Sequence, residues 1–209
     1  MNIKTPKDSF NHYADLYQDK FMDLSQYQGS LDLFCNLIEQ PNAVVLDAAC
    51  GPGNISSYLL KEKPNLQLLG IDLAPKMIEL AKNNNPTATF QTWDCRDICQ
   101  LNKKFEAIIC GFGLPYLSKA EAIQFITDCA DCLQPGGLFY LSTMEDDYLK
   151  SGPKTSSDGN FATLQYYHQA DYLMDALSIN GLELVQLSRI ESIDGAGENI
   201  CDLIIIAQK

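Results

Sequence analysis

Apolar and polar positions along this chain fall into blocks that switch between a helical and a strand period. Phe10, Tyr13, Ala14, Tyr17 and Phe21 recur at the three-and-four spacing of an amphipathic helix, and a second helix is expected from about Ser30 to Glu39. Pro41-Asn42 breaks the chain. Ala43-Val44-Val45-Leu46 follows, an uninterrupted apolar run of the kind that fills a parallel strand covered on both faces, and it ends at Asp47. The pattern then alternates: helix over Ile55 to Leu60, strand over Leu66 to Ile71, helix over Pro75 to Lys82, and strands over Ala88 to Gln91 and Phe105 to Cys110. A helix from Lys119 to Leu133 stops at Gln134-Pro135-Gly136-Gly137, and Leu138 to Thr143 forms the next strand. Periodicity then lapses for some 25 residues, where Ser151-Gly152-Pro153 and Ser156 to Asn160 read as irregular chain. It resumes with a helix from Ala170 to Ile179, a stop at Gly181 and two closing strands, Leu182 to Ile190 and Asn199 to Ala207. Alternating strands and helices imply an α/β fold: a doubly wound, mainly parallel sheet flanked by helices.

Composition narrows the setting. With 209 residues, 46% of them apolar, the chain is long enough for one complete core and short for two, so one domain is expected over 1–209. Its 15 basic residues against 27 acidic ones, a net charge of -12, disfavour a nucleic-acid backbone or an anionic membrane as partner. No apolar run approaches the roughly 20 residues of a membrane span, and the polar start Met1 to Phe10 has no signal-peptide core. A cytoplasmic setting with reduced cysteines is expected. Of the eight cysteines only Cys129 and Cys132 form a CxxC pair, and they fall inside a helical pattern without further ligands, so they are read as core residues and no metal is expected.

The most informative segment is Val44 to Tyr58, where an apolar strand runs into an acid, small residues, two glycines and a helix. Small residues let backbone approach a ligand, and the helix start points amides at it. The loop reads GxGxxS from Gly51 to Ser56 and lacks the third glycine of the dinucleotide fingerprint. About twenty residues past Gly53 the second strand ends at Asp72, where an acid can accept hydrogen bonds from both hydroxyls of a ribose. Asp94, followed by Cys95, stands at the third strand end, positioned to accept from an adenine amine while the next amide donates to the ring.

Val44 to Asn54, Leu69 to Lys82, Phe90 to Ile98 and Leu133 to Ser142 resemble the successive motifs of class I (Rossmann-like) S-adenosylmethionine-dependent methyltransferases, and the resemblance spans roughly residues 10 to 208. It implies a single seven-stranded sheet with an antiparallel last strand and an N-terminal helical lid. Residues 1–40 would be the lid, 41–143 the cofactor-binding core, 144–169 an acceptor-side loop and 170–209 the closing helix and strands. It implies S-adenosylmethionine as cofactor and S-adenosylhomocysteine as product. The glycine loop (Asp47, Ala49, Cys50, Gly51, Gly53) would meet the methionine portion and Asp72 the ribose. Leu73 and Met77 would flank the adenine, Asp94 and Cys95 would meet its edge, and Cys110 or Gly111 would meet the cofactor's amino group. Ala49 departs from the glycine more usual there. Tyr17, in Ala14-x-x-Tyr17, resembles the lid residue that faces the cofactor; its other reading is a core tyrosine.

The expected reaction is in-line methyl transfer to a small-molecule oxygen or nitrogen nucleophile, by a monomer or homodimer. Phe112, Tyr116, Tyr166 and Tyr167, with Tyr148 and Phe161, are candidates for an aromatic acceptor pocket. Should a base be needed, His168 leads the candidates; Glu145, Asp146 and Asp147 read as a solvated turn, and His12 follows. The rival readings are a non-catalytic cofactor-binding or regulatory protein and a nucleotide-dependent oxidoreductase, the latter opposed by the missing third glycine.

Overall fold

Alternate residues of the strand Phe105–Gly111 leave the sheet on opposite faces: Ala107 and Ile109 join one apolar cluster, Ile108 and Cys110 another. The same period-two division separates Ile204 and Ile206 from Leu203 and Ile205. A sheet apolar on both faces must be covered on both. The computed structural model describes residues 3–156, 159–193 and 199–209. Its elements are β1 (Ile3–Lys4), α1 (Pro6–Phe21), α2 (Gln28–Leu37), β2 (Val44–Ala48), α3 (Asn54–Glu62), β3 (Gln67–Asp72), α4 (Pro75–Asn84), β4 (Thr89–Thr92) and β5 (Phe105–Gly111). They continue with α5 (Lys119–Cys132), β6 (Leu133–Met144), β7 (Gly152–Thr155), β8 (Ala162–Gln165), α6 (Ala170–Ile179), β9 (Glu183–Ile193) and β10 (Asn199–Gln208).

Seven strands form the main sheet in the order β4-β3-β2-β5-β6-β10-β9. Pairings from β4 through β6 are parallel, and β10 runs antiparallel to both its neighbours. Helices α2, α3 and α4 cover one face through Phe34, Leu59 and Ile78; α5 and α6 cover the other through Phe125, Ile126 and Leu173. This is the doubly wound sheet with an antiparallel last strand that the patterning and the resemblance predict. Strand order reverses between β2 and β5, so their carboxyl ends diverge into a crevice, the place where open sheets of this kind bind ligands.

The segment 144–169 departs from the irregular chain expected of it. Tyr148–Lys150 forms a single helical turn, and β7 and β8 pair antiparallel. β8 also pairs in parallel with β1, making a separate three-stranded sheet. Its strands are two to four residues long, and Pro153 sits on an edge strand, where a missing amide costs no ladder bond. Such short pieces, paired across 150 positions of sequence, leave no local periodicity. Ser157 and Asp158, read as part of that irregular chain, lie outside the described residues.

The small sheet holds the N-terminal helix. Thr5 caps α1 through its side chain on the Asp8 amide, with Pro6 in the first turn. Buried Phe161 stacks on Tyr13 (5.2 Å between centroids) and takes the Lys4 ammonium over its ring at 4.0 Å, while α1 packs on α4 through Ala14, Ala74 and Met77. Phe161→Ala is therefore expected to release α1 locally, at a cost of roughly 3 kcal/mol for the lost aromatic packing. Limited proteolysis should cut within 6–21 at least ten times faster, with little change in the melting temperature of the main sheet.

Candidate functional site

The turn from β2 into α3 carries three residues in the left-handed region: Ala49 (φ 58), Gly51 (φ 53) and Gly53 (φ 81). Two carboxylates hold it. Asp47, fully buried beneath the loop, accepts from Ser56 Oγ at 2.6 Å. Burial pushes its carboxyl up to about 7, against the bond from Ser56. Asp72, at the end of β3, accepts from the Gly51 amide at 2.9 Å and the Ala74 amide at 2.8 Å; burial raises its pKa and these two amides oppose the rise. Gly53 permits close packing of α3 on α4, since a Cβ there would lie 2.5 Å from Asn85 Nδ2. Ser56 occupies the place of a third glycine because its hydroxyl is the partner of Asp47.

Over this loop lies a cavity of about 400 Å³. Ala49, Gly51 and Asp72 line its base, Leu73, Met77 and Leu117 give apolar walls, and Phe10 and Tyr17 from α1 close over it. At the far end stand Trp93, Asp94, Cys95 and Arg96. Arg96 grips the Asp94 carboxylate with Nη2 at 2.6 Å and Nε at 3.0 Å and reaches Glu121 at 2.9 Å. Burial raises the Asp94 pKa, and the Arg96 bonds outweigh it, leaving the carboxyl below its ordinary value. Burial also pushes the Tyr17 phenol up, so that it stays protonated.

A second cavity of about 490 Å³ adjoins the first, and both are lined by Tyr17, Ala49, Gly51, Gly111, Phe112 and Tyr116. Gly111 lets Ile55 pack against the backbone there: a Cβ would lie 2.2 Å from Ile55 Cδ1, so a larger residue would displace that side chain. Phe112 follows at φ 55, its amide donating to the Ser142 carbonyl at 3.1 Å and to Ser142 Oγ at 3.2 Å. Besides these shared residues the second cavity is lined by Phe21, Tyr27, Tyr140, Gln165 and Asp202, among others.

The residues singled out by sequence therefore separate into groups. Asp72, Leu73, Met77, Asp94 and Cys95 line the first cavity; Tyr17, Ala49, Gly51, Gly111, Phe112 and Tyr116 line both; Cys50 lines the second. Asp47, Gly53 and Cys110 line neither: Asp47 and Cys110 are buried in the sheet and Gly53 packs against α4.

His168 is not available as a base. It is fully buried, its Nε2 is 2.8 Å from the Leu114 carbonyl and its Nδ1 is bonded to the Tyr172 hydroxyl. The carbonyl can only accept, so Nε2 carries the proton and Nδ1 accepts from the tyrosine; burial lowers the pKa and keeps the ring neutral. Tyr166 and Tyr167 also line neither cavity. Tyr166 stacks on Tyr148 at 6.1 Å, and the Lys154 ammonium lies over the ring of Tyr167 at 5.2 Å. Both were placed at the acceptor by their position in a segment taken as loop, and the hairpin turns them elsewhere. Phe161 is spent on Tyr13, and His12 lies against the same two rings. Glu145 pairs with Arg189 at 2.9 Å, Asp146 with Lys150 at 2.9 Å, and Asp147 caps the turn at Leu149.

Sequence reasoning missed Tyr27, Tyr140, Arg96, Trp93 and Asp202. Only Asp202 had a visible signal, as an acid heading the apolar run Leu203 to Ala207 of a strand.

Residues 45–137 match a family described as a methyltransferase domain. A ubiquinone biosynthesis O-methyltransferase of Xanthomonas campestris is 29% identical over 119 residues, 54% of this chain and 48% of the relative. The chain spans less than half the length of the first curated relatives it matches. Among solved structures, the magnesium protoporphyrin IX methyltransferase of Synechocystis with bound S-adenosylmethionine superposes with TM-score 0.70 at 19% identity, covering 97% of this chain and 94% of the other. The 1,6-didemethyltoxoflavin-N1-methyltransferase of Burkholderia thailandensis, with its namesake ligand and S-adenosylhomocysteine bound, gives 0.71 at 19%, covering 97% and 86%. At this identity the likeness establishes the fold.

Two predictions concern the loop. Ala49→Gly removes a left-handed strain of roughly 1–2 kcal/mol and adds a smaller unfolded-state entropy cost, so a net gain of about 1 kcal/mol is expected as a higher melting temperature. For Asp47, a carboxyl raised in the fold binds its proton more tightly there than in the unfolded chain, so its contribution to stability falls as pH rises from about 4 to about 7. Asp47→Asn removes that dependence; urea midpoints at pH 5 and pH 7 should show the wild type losing stability relative to the variant.

Proposed function

On the premise that this chain belongs with the class I S-adenosylmethionine-dependent methyltransferases, we propose that it transfers a methyl group from S-adenosylmethionine to a small-molecule oxygen or nitrogen nucleophile. The observation that carries the proposal is the junction of the two cavities at Tyr17, Ala49, Gly51, Gly111, Phe112 and Tyr116. One cavity would hold the cofactor, the other the acceptor, and the shared wall is where a methyl would cross.

The residues of the first cavity fit that cofactor. Its volume of about 400 Å³ lies within the range of small-molecule sites. Asp72 has both oxygens oriented by amides and a flank on the cavity, suited to the ribose hydroxyls. Leu73, Met77 and Leu117 offer apolar faces to a purine, and Asp94 and Cys95 a polar edge. Backbone at Ala49 and Gly51 lines the cavity and would meet the amino-acid portion, and Phe10 and Tyr17, on α1, would act as a lid against water.

When bound, the cofactor supplies a sulfonium methyl that is electrophilic without further activation. What remains for the protein is alignment and desolvation. Gly111 and Phe112, fixed by Ser142 and Ile55, would set the floor under the transfer path, and Tyr17 and Tyr116 its sides.

Asp72→Ala, which also frees the Gly51 and Ala74 amides, is expected to weaken S-adenosylhomocysteine binding by at least about 100-fold, the ~3 kcal/mol of two hydrogen bonds to a charged group, while the circular-dichroism signal of the main sheet and its helices is retained. Calorimetry measures it, and unchanged affinity would remove Asp72 from the ribose. Turnover is tested by radiolabelled methyl transfer into a metabolite extract. Tight cofactor binding without any labelled product would favour a sensor over an enzyme.

A further inference from the structure

We propose that Asp202, steadied by Tyr27, is the acceptor-recognition group of the second cavity, and that the acceptor is a primary or secondary amine bound as its ammonium ion. This rests on the assignment of that cavity to the acceptor.

Asp202 stands in β10 opposite Met144, two residues along β6 from Ser142, the residue that fixes Phe112 at the junction of the cavities. It lines the second cavity and is 6% exposed. The Tyr27 hydroxyl donates to its Oδ2 at 2.7 Å; among the described residues no cation pairs with it and Oδ1 has no hydrogen bond. Other acids of the two cavities and their surroundings are differently placed: Glu145 and Asp94 have arginines, Asp146 a lysine and Asp72 two backbone amides, while Asp47, which also buries one oxygen without a partner, lies beneath the loop and lines neither cavity.

A carboxylate taken out of water without a counter-charge is costly, and proteins avoid the arrangement unless something else completes it. Here the open oxygen faces a cavity, so the missing partner is a ligand group that donates hydrogen bonds and carries positive charge. The walls agree. Tyr27 and Phe112 lie 5.3 Å apart between ring centroids, Tyr140 adds a third ring, and aromatic faces attract a cation where water is excluded. An anionic acceptor would be repelled by the same carboxylate, and a neutral alcohol would leave its charge uncompensated.

The carboxylate also has somewhere to put the proton that the reaction must release. An ammonium has no lone pair. One N–H proton passes to Asp202, the freed nitrogen pair forms the new N–C bond, and the C–S bond breaks with its electrons going to sulfur, which becomes a neutral thioether. The product is the methylated ammonium ion, and the proton on Asp202 returns to solvent when the product leaves.

Binding to the full chain saturated with S-adenosylhomocysteine tests this, with benzylamine and cyclohexylamine as probes, benzyl alcohol and cyclohexanol as neutral matches, and benzoate as the anion. The amines are expected to bind at least ten times more tightly than their matches, and Asp202→Asn, which keeps the shape and the Tyr27 bond, to erase that preference while binding S-adenosylhomocysteine as before. Tyr27→Phe, which keeps the carboxylate, should retain the preference for amines. Equal binding of amines and alcohols by the wild type, preference for benzoate, or an amine preference undiminished in Asp202→Asn would each overturn the proposal. Should Asp202→Asn fail to fold, the wild-type ranking and Tyr27→Phe decide it. Failure of the wild type to bind S-adenosylhomocysteine at all would instead strike at the methyl-transfer reading.

Discussion

The Asp72 carboxylate is the point on which the site depends. Its two oxygens take the amides of Gly51 and Ala74, joining the glycine loop after β2 to the start of α4. That bridge supports a backbone that would not hold its shape alone, because Ala49, Gly51 and Gly53 are all left-handed and one of them has a side chain. It also sets α4, and α4 in turn is the surface on which α1 rests through Ala14, Ala74 and Met77. Loop, sheet edge and covering helix thus share one anchor.

A second dependence runs through the small sheet. β1 precedes α1 and β8 follows the turn at Tyr148–Lys150, so their pairing ties the element that closes the first cavity to chain that leads toward the second. Gln165 ends β8 and lines the second cavity, and Ser9 on α1 bonds Thr163 of the same strand. The helix over one cavity and a wall of the other are thus joined through the same short strand.

Buried polar groups divide by whether the protein completes them. His168 has both nitrogens bonded, while Asp47 takes Ser56 on one oxygen and buries the other beneath the loop without a partner. Asp202 has one bond and an open cavity before it. The same physical cost of burial that makes His168 a neutral strut leaves Asp202 receptive to a cation.

The fold was legible in the sequence because its signals are local. Apolar runs such as Ala43 to Leu46 and Ala107 to Cys110 and punctuation at Pro75, Pro135 and Gly181 each report on neighbouring positions, and so does the loop from Asp47 to Gly53. Asp72 and Asp94 stand at strand ends and followed from the same counting, while Leu73 and Met77 came from the family resemblance. The second cavity was not legible in this way. It is assembled from α1, the turn at Ser25–Tyr27, β6, β8 and β10, and which side chains converge depends on packing that no window of sequence contains. Sequence proximity put Tyr166, Tyr167 and His168 at the acceptor; the hairpin and the burial of His168 moved them away. Local pattern determined the sheet and the glycine loop, while long-range pairing alone decided which carboxylate faces the second cavity.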